Sequence, residues 1–281
     1  MQVLKDLEIG VMFWAGRDPL ETVREVKALG VRCGQLAIPG DLKLDAATTA
    51  AWKRAIADED FHVVTVFAAY NGEDYADIPT VGRTVGLVPP ATRAAREQRT
   101  YAVSDLAAAL GVPAIALHIG CVPEDPADPT YIEVRDTVRR VADYAAKWNQ
   151  VFALETGQEP APVLLKFIQD VDRPNLRINF DPANMILYGT GDPIEALEVL
   201  GPLVVSAHAK DGKWPAKDKP GAMGVEQPFG KGDVGPARFV AKLKQIGYAG
   251  TLNVEREGVA DEHQRLEDVR NAVILLEGLV G

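Results

Sequence analysis

Apolar and polar positions alternate along this chain with two different periods. Short runs rich in Val, Ile, Leu and Phe are each followed by a longer stretch whose apolar residues fall three and four apart. The short runs read as buried strands and the longer stretches as amphipathic helices. Residues 8–14 form the first run. Asp18 and Pro19 then open a helix carrying Leu20, Val23, Val26 and Leu29 on one face, and Gly30 ends it. The same alternation places strands at 35–38, 61–67, 113–118, 151–155, 176–181, 203–208 and 251–255. Helices are placed at 45–57, 91–110, 130–148, 160–169, 193–200, 236–246 and 263–279. Two connections are long for a compact domain, 69–90 and 212–232. The first is either a lid over a substrate or a surface excursion.

Strands alternating with helices imply parallel strands joined by right-handed crossovers. The tally of strand–helix units, eight without a composition break or linker, predicts one α/β domain over 1–281. Its expected architecture is a (β/α)8 TIM barrel, with a parallel eight-stranded barrel inside a ring of helices. A doubly wound open sheet is the alternative, but no GxGxxG motif follows the first strand to favour it.

Composition narrows the partners. The net charge of −10 argues against nucleic acid, whose backbone is bound mainly by clustered Lys and Arg. The first eight residues include acidic positions where a signal peptide needs an apolar core, and no membrane-length apolar run occurs. Cys33 and Cys121 are the only cysteines and lie far apart, so neither a disulfide framework nor a zinc–thiolate site is expected. These features lead to the expectation of a cytoplasmic protein with no membrane and no nucleic-acid partner.

Four strands end in groups that can hold a metal. The fifth ends at Glu155, the sixth at Asp181, the seventh at His208 and the eighth at Glu255. In a barrel these ends converge on the C-terminal mouth, where barrel active sites sit. A single acid at a strand end is explained by helix capping or an ion pair; four such groups on four consecutive strands are not. Three carboxylates in one mouth repel one another unless a cation is present. With one imidazole they suit a single divalent ion such as manganese, magnesium, cobalt or zinc, rather than copper(I) or an iron–sulfur cluster.

The strand-end residues Glu155, Asp181-Pro182-Ala183-Asn184, His208-Ala209-Lys210-Asp211 and Glu255 resemble the xylose isomerase-like TIM-barrel family. Within it they are most similar to the subgroup with a single Glu/Asp/His/Glu metal site, the ketose 3-epimerases and hydroxypyruvate isomerase-like proteins. The resemblance implies one divalent ion, often manganese, that binds a sugar carbonyl and an adjacent hydroxyl and stabilises an enediolate. It further implies that Glu155 and Glu255 are catalytic acid/base groups as well as ligands, with Asp181 and His208 mainly ligands. The implied activity is isomerisation or epimerisation of a carbohydrate. Elimination of water or an aglycone from a keto-sugar or keto-inositol is the alternative, and an abasic-site endonuclease or a non-catalytic sugar-binding barrel lies further off. Asn184 departs from the ketose epimerases, which typically place a substrate-gripping histidine there.

Further candidates follow from position. Lys210 and Asp211 are expected to contact substrate, together with Asn184. His118 ends the fourth strand as either a site residue or a buried structural histidine. Trp14, Phe67 and Tyr70 fall at the expected mouth, where they either stack on a sugar face or close the barrel top. His62 and His263 are expected to take no part. The turn Phe229-Gly230-Lys231-Gly232-Asp233 is expected to be structural rather than phosphate-binding. Association into a homo-oligomer through outer helices or loops is also consistent with a barrel of this kind.

Overall fold

The computed structural model describes residues 7–281. The segment 1–6, part of the stretch too acidic for a signal peptide, lies outside the described residues. Eight parallel strands close into a barrel: β1 (Glu8–Trp14), β2 (Cys33–Ile38), β3 (His62–Ala68), β4 (Ala114–Leu117), β5 (Val151–Glu155), β6 (Leu176–Phe180), β7 (Val204–Ala209) and β10 (Thr251–Val254). Neighbours in sequence are neighbours round the ring, and β1 pairs with β10 through Glu8 opposite Thr251 to complete closure. The outer layer holds α1 (Pro19–Lys27), α2 (Ala46–Asp58), α4 (Pro90–Leu110), α5 (Pro129–Ala146), α6 (Ala161–Val171), α8 (Pro193–Leu200), α9 (Pro236–Gln245) and α10 (Glu262–Val280). Among the described residues no helix is long and apolar enough to cross a membrane.

The two-residue period of a strand divides each one between two environments. Leu36 and Ile38, Phe152 and Leu154, Ile178 and Phe180, and Leu252 and Val254 face outward, into the large core shared with the helices. Met12, Ala37, Phe67, Ala116 and Ala153 form a second, smaller cluster inside the barrel. The interior also carries buried polar side chains, among them Gln35, Asn179, Ser206 and Asn253. Past the register shifts where β2 meets β3 and β6 meets β7, inner and outer positions alternate to the strand ends, so the last inward residue is the one delivered to the mouth.

Helix entry is set by aspartates. Asp18, Asp45, Asp128, Asp192 and Asp261 each accept a backbone N–H of the first turn, satisfying donors that have no partner inside the helix.

Two short helices and a two-stranded ribbon depart from the sequence reading. The connection 69–90 contains a short helix, α3 (Ile78–Thr84), capped by Asp77. Another, α7 (Pro182–Tyr188), begins directly after β6 and is capped by Asp181. In the connection 212–232, β8 (Asp211–Lys213) and β9 (Val225–Gln227) pair as an antiparallel ribbon. All three are too short for a periodicity to stand out from a loop.

Candidate metal centre

Glu155, Asp181, His208 and Glu255 meet at the mouth. One ligand atom from each lies within 4.8 Å of all the others. His208 Nδ1 is 3.0 Å from Glu155 Oε1, 3.0 Å from Glu255 Oε2 and 3.5 Å from Asp181 Oδ2. All four side chains are buried. Asp181 divides its carboxylate between two tasks: Oδ1 caps α7 by accepting from Ala183 N at 2.8 Å and Asn184 N at 2.9 Å, and Oδ2 turns to the cluster. Capping and a place in the cluster, alternatives in the sequence, coincide in this residue.

The donor set fits a divalent cation. His208 Nδ1 and Asp181 Oδ2 are buried with no hydrogen-bond partner, and both point at the common centre. Burial pushes the Asp181 carboxyl up; Lys210 offsets this in part, while Glu255 and Glu155 add to it. A dication at the centre would supply the missing partner and relieve that repulsion, and one imidazole with three carboxylates suits a borderline or hard ion.

The cluster rests on a layer the sequence reading did not identify. His208 Nε2 lies 2.6 Å from Gln35 Oε1 on β2. Gln35 Nε2 in turn donates to Asn179 Oδ1 at 2.9 Å, and the Ser206 hydroxyl donates to that same oxygen. A carbonyl oxygen can only accept, so Gln35 Oε1 pairs with a proton on Nε2, which would leave the Nδ1 lone pair for a cation at the centre. Alternation could have exposed these residues: Leu176-Arg177-Ile178-Asn179-Phe180-Asp181 puts Asn179 one inward step below Asp181.

Above the cluster is a cavity of about 900 Å³. Trp14, His118, Asn184, Lys210 and Glu255 all line it, as does Phe67. Lys210 is buried, 2.9 Å from Glu255 Oε2 and 3.7 Å from Asp181 Oδ2, and it also reaches Glu257 Oε2 at 3.4 Å. His118 Nε2 is 2.9 Å from Glu155 Oε2, while Gln158 Nε2 lies 3.2 Å from His118 Nδ1. Burial pushes His118 down, but the Glu155 carboxylate overcomes this and raises it to about 9. Asn184 Nδ2 donates to Glu155 Oε1 at 3.3 Å. Both long connections wall the cavity, and Ile78 N donates to Gly221 O at 3.2 Å to join them over it.

Two expected substrate contacts are placed elsewhere. Tyr70 is an outward position: its ring enters the core beneath α4, its hydroxyl meets Thr100 Oγ1 at 2.6 Å, and the Arg96 guanidinium lies 5.2 Å over it. Asp211 also turns outward, one step past inward Lys210. Its carboxylate accepts from Gly212 N, Val234 N, Gly230 N and Gly232 N at 2.9–3.0 Å and so organises the turn after β9. A Cβ on Gly232 would lie 2.0 Å from Asp211 Oδ1, so that turn requires glycine. His62 and His263 lie away from the cluster, on the β3 start and in α10.

The chain matches the family described as xylose isomerase-like TIM barrel over residues 23–275. The solved xylose isomerase domain protein from Planctomyces limnophilus is 42% identical with a TM-score of 0.93, covering 98% of this chain and 97% of that one. The 3-keto-D-glucoside 4-epimerase from E. coli has a TM-score of 0.70 at 19% identity, covering 97% and 99%. An uncharacterised protein of Methanocaldococcus jannaschii is 28% identical over 99 residues, 35% of this chain and 31% of that protein. The match thus spans about a third of the curated relative's length. Structural neighbours also include a D-psicose 3-epimerase and a probable 3-DHS dehydratase, which at 17% and 16% identity share the fold. With a family match across most of its length, a closed (β/α)8 barrel and the four-residue cluster at its mouth, the chain belongs to the xylose isomerase-like TIM-barrel family.

Proposed function

We propose that this chain is a divalent-metal-dependent isomerase or epimerase that removes and returns a proton beside a sugar carbonyl. The observation that carries the reading is the pair Glu155 and Glu255, each 3.0 Å from His208 Nδ1 in a buried cluster that opens into the cavity. Glu155, Asp181, His208 and Glu255 would hold the ion, manganese or magnesium being well suited to this donor set. A bound ion would act as a Lewis acid on the substrate carbonyl and acidify the neighbouring C–H.

The chain's own groups then move the proton. Burial disfavours charge on Glu255, but His208 and Lys210 outweigh it and hold the group well below the usual carboxylate range, so that it is ionised and free to accept a proton. Glu255 lines the cavity, whereas Glu155 sits deeper, against His118. Removal by one carboxylate and return by the other inverts the carbon; return to the adjacent carbon moves the carbonyl. Lys210 and Asn184, which line the cavity and touch these acids, would hydrogen-bond substrate oxygens there.

Solvent exchange tests the proposal. Metal-loaded protein in D2O, offered ketoses, keto-sugars and hydroxypyruvate, is expected to place deuterium on a carbon beside the carbonyl. Glu255→Gln should slow this by roughly 10²–10⁴-fold. Product mass separates isomerisation from loss of water or an aglycone. No exchange across the panel, with metal shown to be bound, would sink the reading.

A further inference from the structure

Of the four residues in the cluster, Glu255 is held least by regular structure. Glu155 and His208 lie within β5 and β7, and Asp181 opens α7. Glu255 comes after the last residue of β10, and its own N–H reaches Ala209 O at 3.3 Å. Beyond it the chain runs without helix or strand until α10 begins at Glu262, so no ladder fixes its C-terminal side.

A side chain from the β8–β9 ribbon does so instead. Glu226, on β9, sets both carboxylate oxygens against the three residues that follow Glu255. Its Oε1 accepts from Arg256 Nη1 at 2.8 Å and from Glu257 N at 3.0 Å, and its Oε2 accepts from Gly258 N at 2.9 Å. Bonds from N–H groups to an ionised carboxylate are among the stronger ones in proteins. Arg256 also donates from Nε to Asp268 Oδ2 at 2.9 Å, which ties the same segment to α10. The ribbon is itself seated on α7, where Gly224 N donates to Leu187 O at 2.8 Å.

These bonds bear on position more than on folding. Glu257 and Gly258 are exposed, so water can take the place of Glu226 at their N–H groups, and Arg256 keeps Asp268. What depends on Glu226 is the direction of the chain leaving β10. That direction keeps Glu255 Oε2 3.0 Å from His208 Nδ1 and 2.9 Å from Lys210 Nζ.

We infer, resting on the proposed metal-centre reading, that Glu226 is a positioning residue for Glu255: it fastens the chain after β10 to the ribbon and so holds the Glu255 carboxylate beside the other three cluster residues. The ribbon side chain that lines the cavity thereby also sets one of the two acid/base groups.

Titration of the full chain with Mn2+ against a fluorescent chelator, joined to water-proton relaxation of the bound ion, tests the inference. Glu226→Ala should weaken Mn2+ by about tenfold and raise the relaxivity of the complex, as water replaces the Glu255 oxygen. In a Glu255→Gln background the same substitution should change affinity by less than about twofold, because residues that act through one contact are not additive. Val225→Ala, at an exposed neighbour on the same strand, should leave affinity unchanged. A similar loss in both backgrounds, an equal loss from Val225→Ala, or a folded Glu226→Ala protein that binds like the parent overturns the inference. Amide exchange of the metal-free protein reads the tether independently. The Glu255 N–H, whose partner is Ala209 rather than Glu226, should exchange faster in Glu226→Ala, and an unchanged rate overturns the tether. A parent that binds no Mn2+ refutes the metal-centre reading alone, and amide exchange then decides the tether.

Discussion

Gln35→Leu offers a test of how the candidate metal centre is built. The side chain is fully buried, and its Oε1 lies 2.6 Å from His208 Nε2. A leucine of similar size keeps the volume but leaves His208 without an acceptor for Nε2–H. Asn179 cannot substitute: its Nδ2, 3.1 Å from the same nitrogen, is a donor. The cost falls unevenly on the two states. Without a cation the imidazole can carry its proton on Nδ1, facing Glu155 and Glu255, and let Nε2 accept from Asn179. With a cation the Nδ1 lone pair is committed and the proton must sit on Nε2. An unsatisfied buried donor costs about 1–3 kcal/mol, so metal affinity should fall roughly 5- to 150-fold, in keeping with the 10- to 100-fold typical of losing a ligand's supporting partner. Competition for Mn2+ against a fluorescent chelator measures this, with circular dichroism to verify folding. Gln35→Glu restores an acceptor and should recover much of the affinity. A folded Gln35→Leu protein binding Mn2+ within twofold of the parent would refute the reasoning.

Asp211→Asn isolates the outward turn: the amide nitrogen would face two of the four backbone N–H groups now bound by the carboxylate, costing about 2–4 kcal/mol in urea unfolding. A loss under about 0.5 kcal/mol would show that the turn does not depend on it. Glu159 bears on pH. Burial pushes its carboxyl up to about 8, only partly countered by the Val122 N–H it accepts. The folded state thus holds this proton more tightly than the unfolded one. Its contribution is complete below the unfolded value near 4.5 and is lost as pH rises through about 8, by up to a few kcal/mol. Glu159→Gln should flatten stability between pH 5 and 9, and an unchanged slope in denaturant midpoints would count against this origin.

The barrel and the four-residue cluster at its mouth were legible in one dimension because each depends on a local repeat. Strand and helix periods define the units, and the chain polarity of parallel strands brings Glu155, Asp181, His208 and Glu255 to one end. The inward or outward sense of each strand-end residue was also encoded, in the two-residue alternation. Counting from inward Phe67 sends Tyr70 outward, and counting from inward His208 sends Asp211 outward while Lys210 stays in. Proximity to a strand end is not enough without that parity.

Other features exist only once the ring closes. Gln35 and His208 are 173 residues apart, and nothing local to either predicts their meeting across the barrel. The same holds for His118 against Glu155 and for Ile78 meeting Gly221 over the cavity. The strands of the barrel, its outer helices, their order and the donor types at the mouth were set by the chain's own pattern, because periodicity and chain polarity are local properties. Tertiary structure alone decided the partners of His208, the size of the cavity and the charges on its walls, because each is set by side chains that approach through space from different strands and loops.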